Sequence, residues 1–420
     1  MSRGDGISAL ILAAGYSSRL GAFKPLLPLG RATVIEEAVQ RFRAAGIDDI
    51  RVVTGHRAEE IDPVLAGIGV RRIFNAAYAE GMLSSVLAGL KSFEAHIAAI
   101  FLLPADIPLV KPRTLAALLR AYRQSNVKIV YPCFGGLRGH PPLIATACVA
   151  ALPPDYEGGV RAYLSRYECQ AQDLEVVDEA ILMDCDTPED YERLEAYGVR
   201  EDIPTVRECQ MLWRRYGTTK EVTAHCRLVA EVARTLAVHL NCVGFHLNTE
   251  LIVAAGYLHD LAKGQPDHAR AGAQILEELG YGKVGQIVAC HTDLPLMKQS
   301  IDESDLIYLA DKYVAGDRLI SLQERFEGSL RKFDDKPDIL QKVVRRLKNA
   351  KFLKGRVEEA LGIPLAEIMQ RREKSMRMAS APEPREIYLV RHGAIQPQGN
   401  GKRYIRPDGF TLDCRRGSAG

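Results

Sequence analysis

Two patterns of apolar positions divide this chain. Up to about residue 200, short apolar runs alternate with amphipathic stretches. Ile7–Ala13, Ile50–Thr54, Ala98–Leu103 and Val127–Pro132 read as strands, because short, mostly apolar runs bounded by turn formers suit buried strands. Thr33–Ala45, stopped by Gly46, and Lys111–Gln124 read as helices. This alternation implies an α/β fold with a largely parallel, helix-covered sheet. From about residue 205 the strand-like runs vanish. Val222, Cys226, Val229, Ala233, Leu236 and Leu240 recur at intervals of four and three, one face of a long helix, so an all-α region is expected. A stretch of charged residues, Ser and Pro then reads as a linker, and the strand Glu386–Val390 opens a third piece. The expected division is 1–200, 205–372, a linker over 373–385, and 386–420.

Composition narrows the class. With 420 residues the chain exceeds one ordinary core. A net charge of +2 implies neither a nucleic-acid-coating surface nor an acidic tail, so no nucleic-acid partner is expected. Nine scattered cysteines without a Cys-x-x-Cys pair suit reduced thiols in the cytoplasm rather than a disulfide framework. The N-terminus lacks a signal-peptide pattern, and no apolar run approaches the ~20 residues that span a bilayer, so no membrane partner is expected.

The first strand breaks into a loop carrying Gly15, Ser17, Ser18, Arg19, Gly21 and Lys24. Glycine lets backbone N–H groups approach phosphate oxygens, and Arg19 and Lys24 supply charge for the β- and γ-phosphates, so the loop suits a nucleoside triphosphate. Ligands of open parallel sheets gather outside the carboxyl ends of the strands. Asp106, in Leu103-Pro-Ala-Asp-Ile-Pro108, falls there and could hold Mg²⁺ between phosphate oxygens. It lies too far upstream to cap the helix near Lys111. In Asp184-Cys-Asp186-Thr-Pro-Glu-Asp190, either Asp186 or Thr187 would cap the helix that Pro188 opens, and Asp190 reads as a solvated first-turn acid. Asp186 is the second candidate metal ligand, with Asp184 behind it.

Leu12-Ala13-Ala14-Gly15-x-Ser17-x-Arg19-x-Gly21-x-x-Lys24 resembles the signature of the MobA-like nucleotidyltransferases, which attach nucleotides to the molybdenum cofactor. The resemblance implies a glycosyltransferase-A-like, mostly parallel nucleotide-binding sheet and a triphosphate site at Leu12, Ala13, Ala14, Gly15, Ser17, Arg19 and Lys24. Asn75 with Gly81-Met-Leu-Ser84-Ser85 resembles the segment that contacts base and ribose. The motif around Asp106 resembles the family's metal motif, Gly139-His140-Pro141-Pro142 its substrate-side loop, and Gly159-Val-Arg161 its Gly-x-Arg turn, although Glu157 stands where an Asp is usual. The double-alanine form of the loop goes with the cytidine-transferring branch. A methyl at Ala14 should crowd a purine, at roughly 1–3 kcal/mol of discrimination.

In the helical region, His259-Asp260 ends a run in which Ile252, Ala255, His259 and Ala262 share a face. His225 points inward beside Val222 and Val229, and Asp311 is flanked by Ala310 and Val314. Such residues on inward faces are costly unless partnered, and a metal would partner all four. Imidazoles with carboxylates suit Mn²⁺, Fe²⁺, Ni²⁺ or Zn²⁺. His225, His259-Asp260 and Asp311 together resemble the HD superfamily of metal-dependent phosphohydrolases. That resemblance implies a role for Lys263 near the scissile phosphate, and His291, with His268 second to it, as ligands of a further metal. His239 and His246 read as residues of an exposed turn. Ile387-Tyr-Leu-Val-Arg391-His392-Gly393 resembles the opening strand of the histidine phosphatases, whose remaining elements the tail lacks; the expectation is a truncation or frameshift near Arg406.

The expected function is therefore a Mg²⁺-dependent transfer of CMP from CTP to a phosphate-bearing acceptor such as molybdopterin, releasing pyrophosphate, in a chain that also carries a metal phosphohydrolase. A sugar phosphate or alcohol phosphate is the alternative acceptor. A nucleotide-sensing regulator with a non-catalytic helical domain is the alternative class.

Overall fold

The structure, a computed structural model, describes residues 6–17, 20–294, 300–332, 335–370, 404–405 and 411–412. The first apolar run, β1 (Ile7–Ala13), is an interior strand of an eight-stranded sheet. On one side it pairs in parallel with β2 (Ile50–Thr54), which carries β3 (Arg71–Phe74) beyond it. On the other side it pairs in parallel with β4 (Ala99–Pro104). Two strands leave β1 in opposite directions, so a crevice opens at the carboxyl ends of β1 and β4. Beyond them lie β5 (Ile129–Phe134), its short hairpin partner β6 (Leu137–Arg138), β7 (Leu143–Ala145) and β8 (Ala171–Glu175), in the order β8-β5-β7-β4-β1-β2-β3. The sheet is mostly parallel, with β7 antiparallel to both β4 and β5. Helices α1 (Val34–Ala44), α2 (Ala58–Gly67), α3 (Met82–Leu90) and α4 (Pro112–Gln124) accompany it. In α1, Val34, Ile35, Ala38, Val39 and Phe42 are buried, and Thr33 and Glu36 close a capping box.

Three local expectations change. The strand expected to stop at Pro132 runs to Phe134, because Cys133 and Phe134 pair with β6 and the Pro132 carbonyl accepts from Gly139 N–H at 2.8 Å. Asp190 is a capping acid rather than a merely solvated one. Thr187 is the N-cap of α5 (Pro188–Val199), and Asp190 Oδ2 accepts from Thr187 N–H at 3.0 Å and Thr187 Oγ1 at 2.9 Å. The short ribbon Val314–Ala315 with Arg318–Leu319 interrupts the helices that follow.

Those helices are α6 (Val206–Arg215), α7 (Lys220–Cys242), α8 (Thr249–Leu258), α9 (His268–Glu278), α10 (Gly282–Cys290), α11 (Glu303–Lys312), α12 (Leu322–Lys332) and α13 (Pro337–Leu361). The expected turn histidine His239 lies instead in the last turn of α7, its Nδ1 on Thr235 O at 2.8 Å; His246 is exposed in the connection after α7. An added Cβ on Gly256 would stand 2.4 Å from Ala230 Cα, so glycine lets α8 cross α7 at backbone contact.

The change of pattern near residue 200 falls in the connection between α5 and α6. Residues 1–369 nevertheless form one compact unit. A buried polar knot ties its two halves. Lys111, 3% exposed, donates from Nζ to Glu208 Oε1 at 2.6 Å and Tyr281 Oη at 3.0 Å. Glu208, fully buried, also accepts from Tyr197 Oη at 2.9 Å, Glu179 N–H at 3.1 Å and Thr205 N–H at 3.0 Å. The expected linker 373–385, the strand Glu386–Val390 and the Arg391-His392 pair lie outside the described residues. Tyr404–Ile405 pairs antiparallel with Thr411–Leu412.

Removing one member of a buried ion pair leaves an uncompensated charge, a loss of about 3–5 kcal/mol. Lys111→Met should lower the free energy of unfolding by that amount in urea titration. A change within about 1 kcal/mol would show that the knot contributes little to the fold.

Candidate active sites

The loop after β1 walls a cavity of about 270 Å³. Leu12, Ala13, Ala14, Gly15, Ser17 and Lys24 line it, joined by Gly81 and Ser85 from the start of α3 and by Asp106 from the end of β4. Ser17 holds a left-handed φ of 55°, rare for a residue with a side chain, and its Oγ accepts from Lys24 N–H at 3.2 Å. That bond folds the loop back and aims the lysine inward. Lys24 Nζ stands 2.5 Å from Asp186 Oδ1 and 3.6 Å from Asp106 Oδ2. Burial pushes the Asp106 carboxyl up; Lys24 opposes this, while Asp186 and Asp184 add to it. Two carboxylates thus converge on one cationic position beside the loop, a donor set that suits a hard, oxygen-ligated cation such as Mg²⁺.

The remaining residues named from the sequence stand elsewhere. Asn75 is buried, and its amide donates to Ser84 Oγ at 2.9 Å and Ser85 Oγ at 3.0 Å while Oδ1 accepts from Ala77 N–H. This triad braces the turn into α3. His140 lies in the loop between β6 and β7; its backbone N–H donates to Ile181 O, and burial lowers its imidazole pKa. Arg19 is outside the described residues. The sequence reading missed an aromatic cluster at the cavity. Tyr16 packs 5.0 Å from the His56 ring and 5.6 Å from Tyr78, and Tyr16 and Tyr78 line the cavity. Gly55 makes room for it, since a Cβ there would stand 2.6 Å from Tyr78 and 2.9 Å from the Ala14 methyl. Only the identity of Tyr16 inside the loop could have hinted at this; the other two come from separate elements.

The second site lies among the helices. His225 from α7, His259 and Asp260 at the end of α8, and Asp311 from α11 converge. His225 Nε2 is 3.1 Å from Asp311 Oδ1 and 4.0 Å from Asp260 Oδ2. His259 Nε2 is 3.6 Å from Asp260 Oδ2 and 3.8 Å from Asp311 Oδ1. The other oxygen, Asp260 Oδ1, faces His268 Nε2 at 3.2 Å and His291 Nε2 at 3.6 Å. Two trios that share Asp260 could therefore each hold a metal: His225, His259 and Asp260, and Asp260, His268 and His291.

Backbone carbonyls orient the rings. His225 Nδ1 lies on Gly316 O at 3.2 Å, His259 Nδ1 on Gly256 O at 2.9 Å and His291 Nδ1 on Val288 O at 2.7 Å. A carbonyl only accepts, so each Nδ1 carries a proton, and in the neutral ring each Nε2 presents a lone pair. His259 Nε2 and Asp260 Oδ1 are buried without a well-aligned hydrogen bond. Burial pushes the His259 imidazole down to about 4, so it is neutral near pH 7. Burial alone would push the Asp260 carboxyl up, but hydrogen bonds from His268 and His291 in their protonated form, with the Lys263 ammonium, outweigh it and hold it well below the usual range. Asp311 is likewise held low, against burial, chiefly by Lys312 and His225. Lys263 Nζ donates to Asp260 Oδ2 at 2.8 Å and Lys312 Nζ to Asp311 Oδ2 at 2.6 Å. Buried bare lone pairs facing carboxylates fit a transition metal.

Each of the two regions matches a known domain family. Residues 9–172 match the MobA-like NTP transferase domain, and residues 222–316 match the HD domain. A molybdenum cofactor cytidylyltransferase of Escherichia coli K12 is 28% identical over 190 residues, covering 44% of this chain and 93% of that protein. The bifunctional protein GlmU of Geotalea uraniireducens is 28% identical over 127 residues, 30% of this chain and 28% of its own length. Among solved structures, a nucleotidyl transferase from Methanothermobacter aligns at 26% identity with a TM-score of 0.42, covering 47% of this chain and 99% of that one. No helix among the described residues is long and apolar enough to cross a membrane.

Metal that binds only the folded chain stabilises it by about 2.7 kcal/mol at a free concentration a hundredfold above Kd. Adding Mn²⁺ or Zn²⁺ to the chelated protein should raise its melting temperature, and Asp260→Ala should abolish that rise. Elemental analysis of the wild-type chain and the variant provides the second readout. A wild-type chain that takes up no transition metal would exclude the centre.

Proposed function

Because this chain belongs to the MobA-like NTP transferases through its N-terminal half and carries an HD domain in its helical half, we propose that it joins a cytidylyltransferase to a metal-dependent phosphohydrolase. The observation that carries the first activity is the meeting of Lys24, Asp106 and Asp186 beside the Gly15–Ser17 loop. The acceptor is a phosphate-bearing molecule such as molybdopterin, in line with the molybdenum cofactor cytidylyltransferase of Escherichia coli to which the chain is similar.

The chemistry is a displacement at phosphorus. An oxygen of the acceptor phosphate bonds to the α-phosphorus of CTP. The bond from that phosphorus to the bridging oxygen of the β-phosphate breaks, and pyrophosphate leaves with the electron pair. Asp106 and Asp186 would hold Mg²⁺, whose charge offsets that of the triphosphate. The loop backbone from Ala13 to Ser17 cradles the phosphates. Lys24 moves its charge from the carboxylates onto the leaving group, and Arg19 is assigned the same task. No protein nucleophile is needed, since positioning and charge neutralisation lower the barrier. Asn75, through Ser84 and Ser85, holds the turn that meets base and ribose. Ala14, 5% exposed in the cavity wall, narrows the space offered to a base and so favours a pyrimidine.

In the helical half, His225, His259, Asp260 and Asp311 would hold the first metal, with His268 and His291 around a second. Bound there, the metal supplies a Lewis acid that activates water. The water oxygen bonds to phosphorus, the ester P–O bond breaks, and the leaving oxygen takes a proton. Lys263, 2.8 Å from Asp260 and half-exposed toward the cavity, is placed to meet phosphate oxygens.

Asp106→Asn should reduce pyrophosphate release from CTP and acceptor by roughly a hundredfold or more, while the unfolding free energy changes by less than about 1 kcal/mol. Turnover near the wild-type value at saturating Mg²⁺ would remove Asp106 from the site. In the wild-type protein kcat/KM should be higher for CTP than for GTP. Ala14→Gly should narrow that ratio by roughly tenfold or more, the value of one methyl. Equal or inverted preference in the unmodified chain would overturn the cytidine assignment.

A further inference from the structure

The helical site opens into a cavity of about 350 Å³ whose far wall is not made by the segment matched to the HD domain. That wall comes from α12 and α13, which bring Arg325, Phe326, Val343 and Arg346 to face Asp260 and Asp311. Four cationic side chains, Lys263, Lys312, Arg325 and Arg346, therefore share the cavity with two carboxylates. Lys263 and Lys312 each hold one of those carboxylates, at 2.8 Å and 2.6 Å. The two arginines are engaged differently. Arg325 reaches only to 4.0 Å of Asp311 Oδ1, and the buried Nε of Arg346 has no hydrogen-bond partner. Phe326 and Val343, 6% and 8% exposed, give the same wall an apolar part.

We infer that Arg325 and Arg346 form a two-arginine clamp for the non-bridging oxygens of a phosphoryl group held over the His/Asp cluster, and that the substrate of this site is a phosphate monoester or terminal phosphate rather than a diester. The inference rests on the phosphohydrolase reading of the helical half. Three features support it. The planar guanidinium fork matches paired phosphate oxygens. The excess of cations over carboxylates is already present in the protein and grows when divalent metal binds, which favours a dianion over the single charge of a diester. Both arginines come from α12 and α13, which supply none of the ligating imidazoles, so they can reach a phosphoryl group without displacing a ligand.

The test uses the full chain loaded with Mn²⁺. Inorganic phosphate is titrated calorimetrically into the wild-type protein, Arg325→Gln, Arg346→Gln and Arg325→Lys, with metal content measured on each sample. The glutamine variants should bind phosphate roughly ten- to a hundredfold more weakly, the value of one or two charge-assisted hydrogen bonds, with metal content and melting temperature unchanged. Arg325→Lys should fall between, because it keeps the charge and loses the fork. Wild-type kcat/KM should be higher for p-nitrophenyl phosphate than for bis-p-nitrophenyl phosphate. Metal-loaded glutamine variants that retain wild-type phosphate affinity, or a preference for the diester, overturn the clamp alone. A wild-type chain that holds no metal overturns the phosphohydrolase reading and the clamp with it.

Discussion

The pairing of Lys111 with Glu208 is the contact on which the arrangement of this molecule depends. Both groups are out of water, and neither can stay charged there without the other. Lys111 follows the Asp106 loop by five residues and opens α4. Glu208 sits in the first turn of α6, where it also closes the capping box with Thr205. Tyr281, the third member, precedes α10, the helix that ends at His291. One hydrogen-bonded knot therefore links the loop carrying the transferase acid to the helix carrying a histidine of the second site. An apolar contact of equal area would tolerate sliding. This knot does not, because its donors and acceptors all pair in one docking orientation.

The consequence is two sites at a fixed separation that do not merge. Among the described residues, their cavities share no lining residue. The fold thus joins a nucleotidyltransferase region and an HD domain in one compact unit with separate cavities.

Much of this was legible in the sequence because the signals were local. The run Ile7–Ala13 became an interior strand with those bounds, and the four–three spacing from Val222 to Leu240 became α7. The capped and glycine-bearing loops fell beside the strand ends where parallel sheets bind ligands. His225, His259, Asp260 and Asp311 were readable as a set because inward-facing polar residues conflict with the apolar face around them. What was not legible depends on distant partners. Pro132 seemed to end a strand until β6 supplied the pairing that carries it on. Asp190 looked like a surface acid because a capping box requires knowing which residue is the N-cap. Tyr78 and His56 meet Tyr16 only after β2 and the turn before α3 are docked. Arg325 and Arg346 lie on amphipathic helices, and only the cavity they line together with Asp260 and Asp311 shows where they face.

The two sites also differ in how they would acquire a metal, for reasons visible in their donors. At the transferase site two carboxylates are half-buried, and an ammonium already balances them. A hard cation held by two carboxylates completes its shell with water and phosphate oxygens, so it arrives most favourably together with a triphosphate. Lys24 would then have a new anion to neutralise as the cation took its place beside Asp106 and Asp186. The helical site has the opposite character. Three imidazoles are fixed by backbone carbonyls, and their lone pairs point into a space that water reaches poorly, with His259 fully buried. Orienting those rings costs entropy that folding has already met, so metal binding there adds little further ordering. A preformed, nitrogen-rich centre would hold its ion through the binding of substrate, whereas a carboxylate pair guarded by a lysine would take its ion up with the triphosphate.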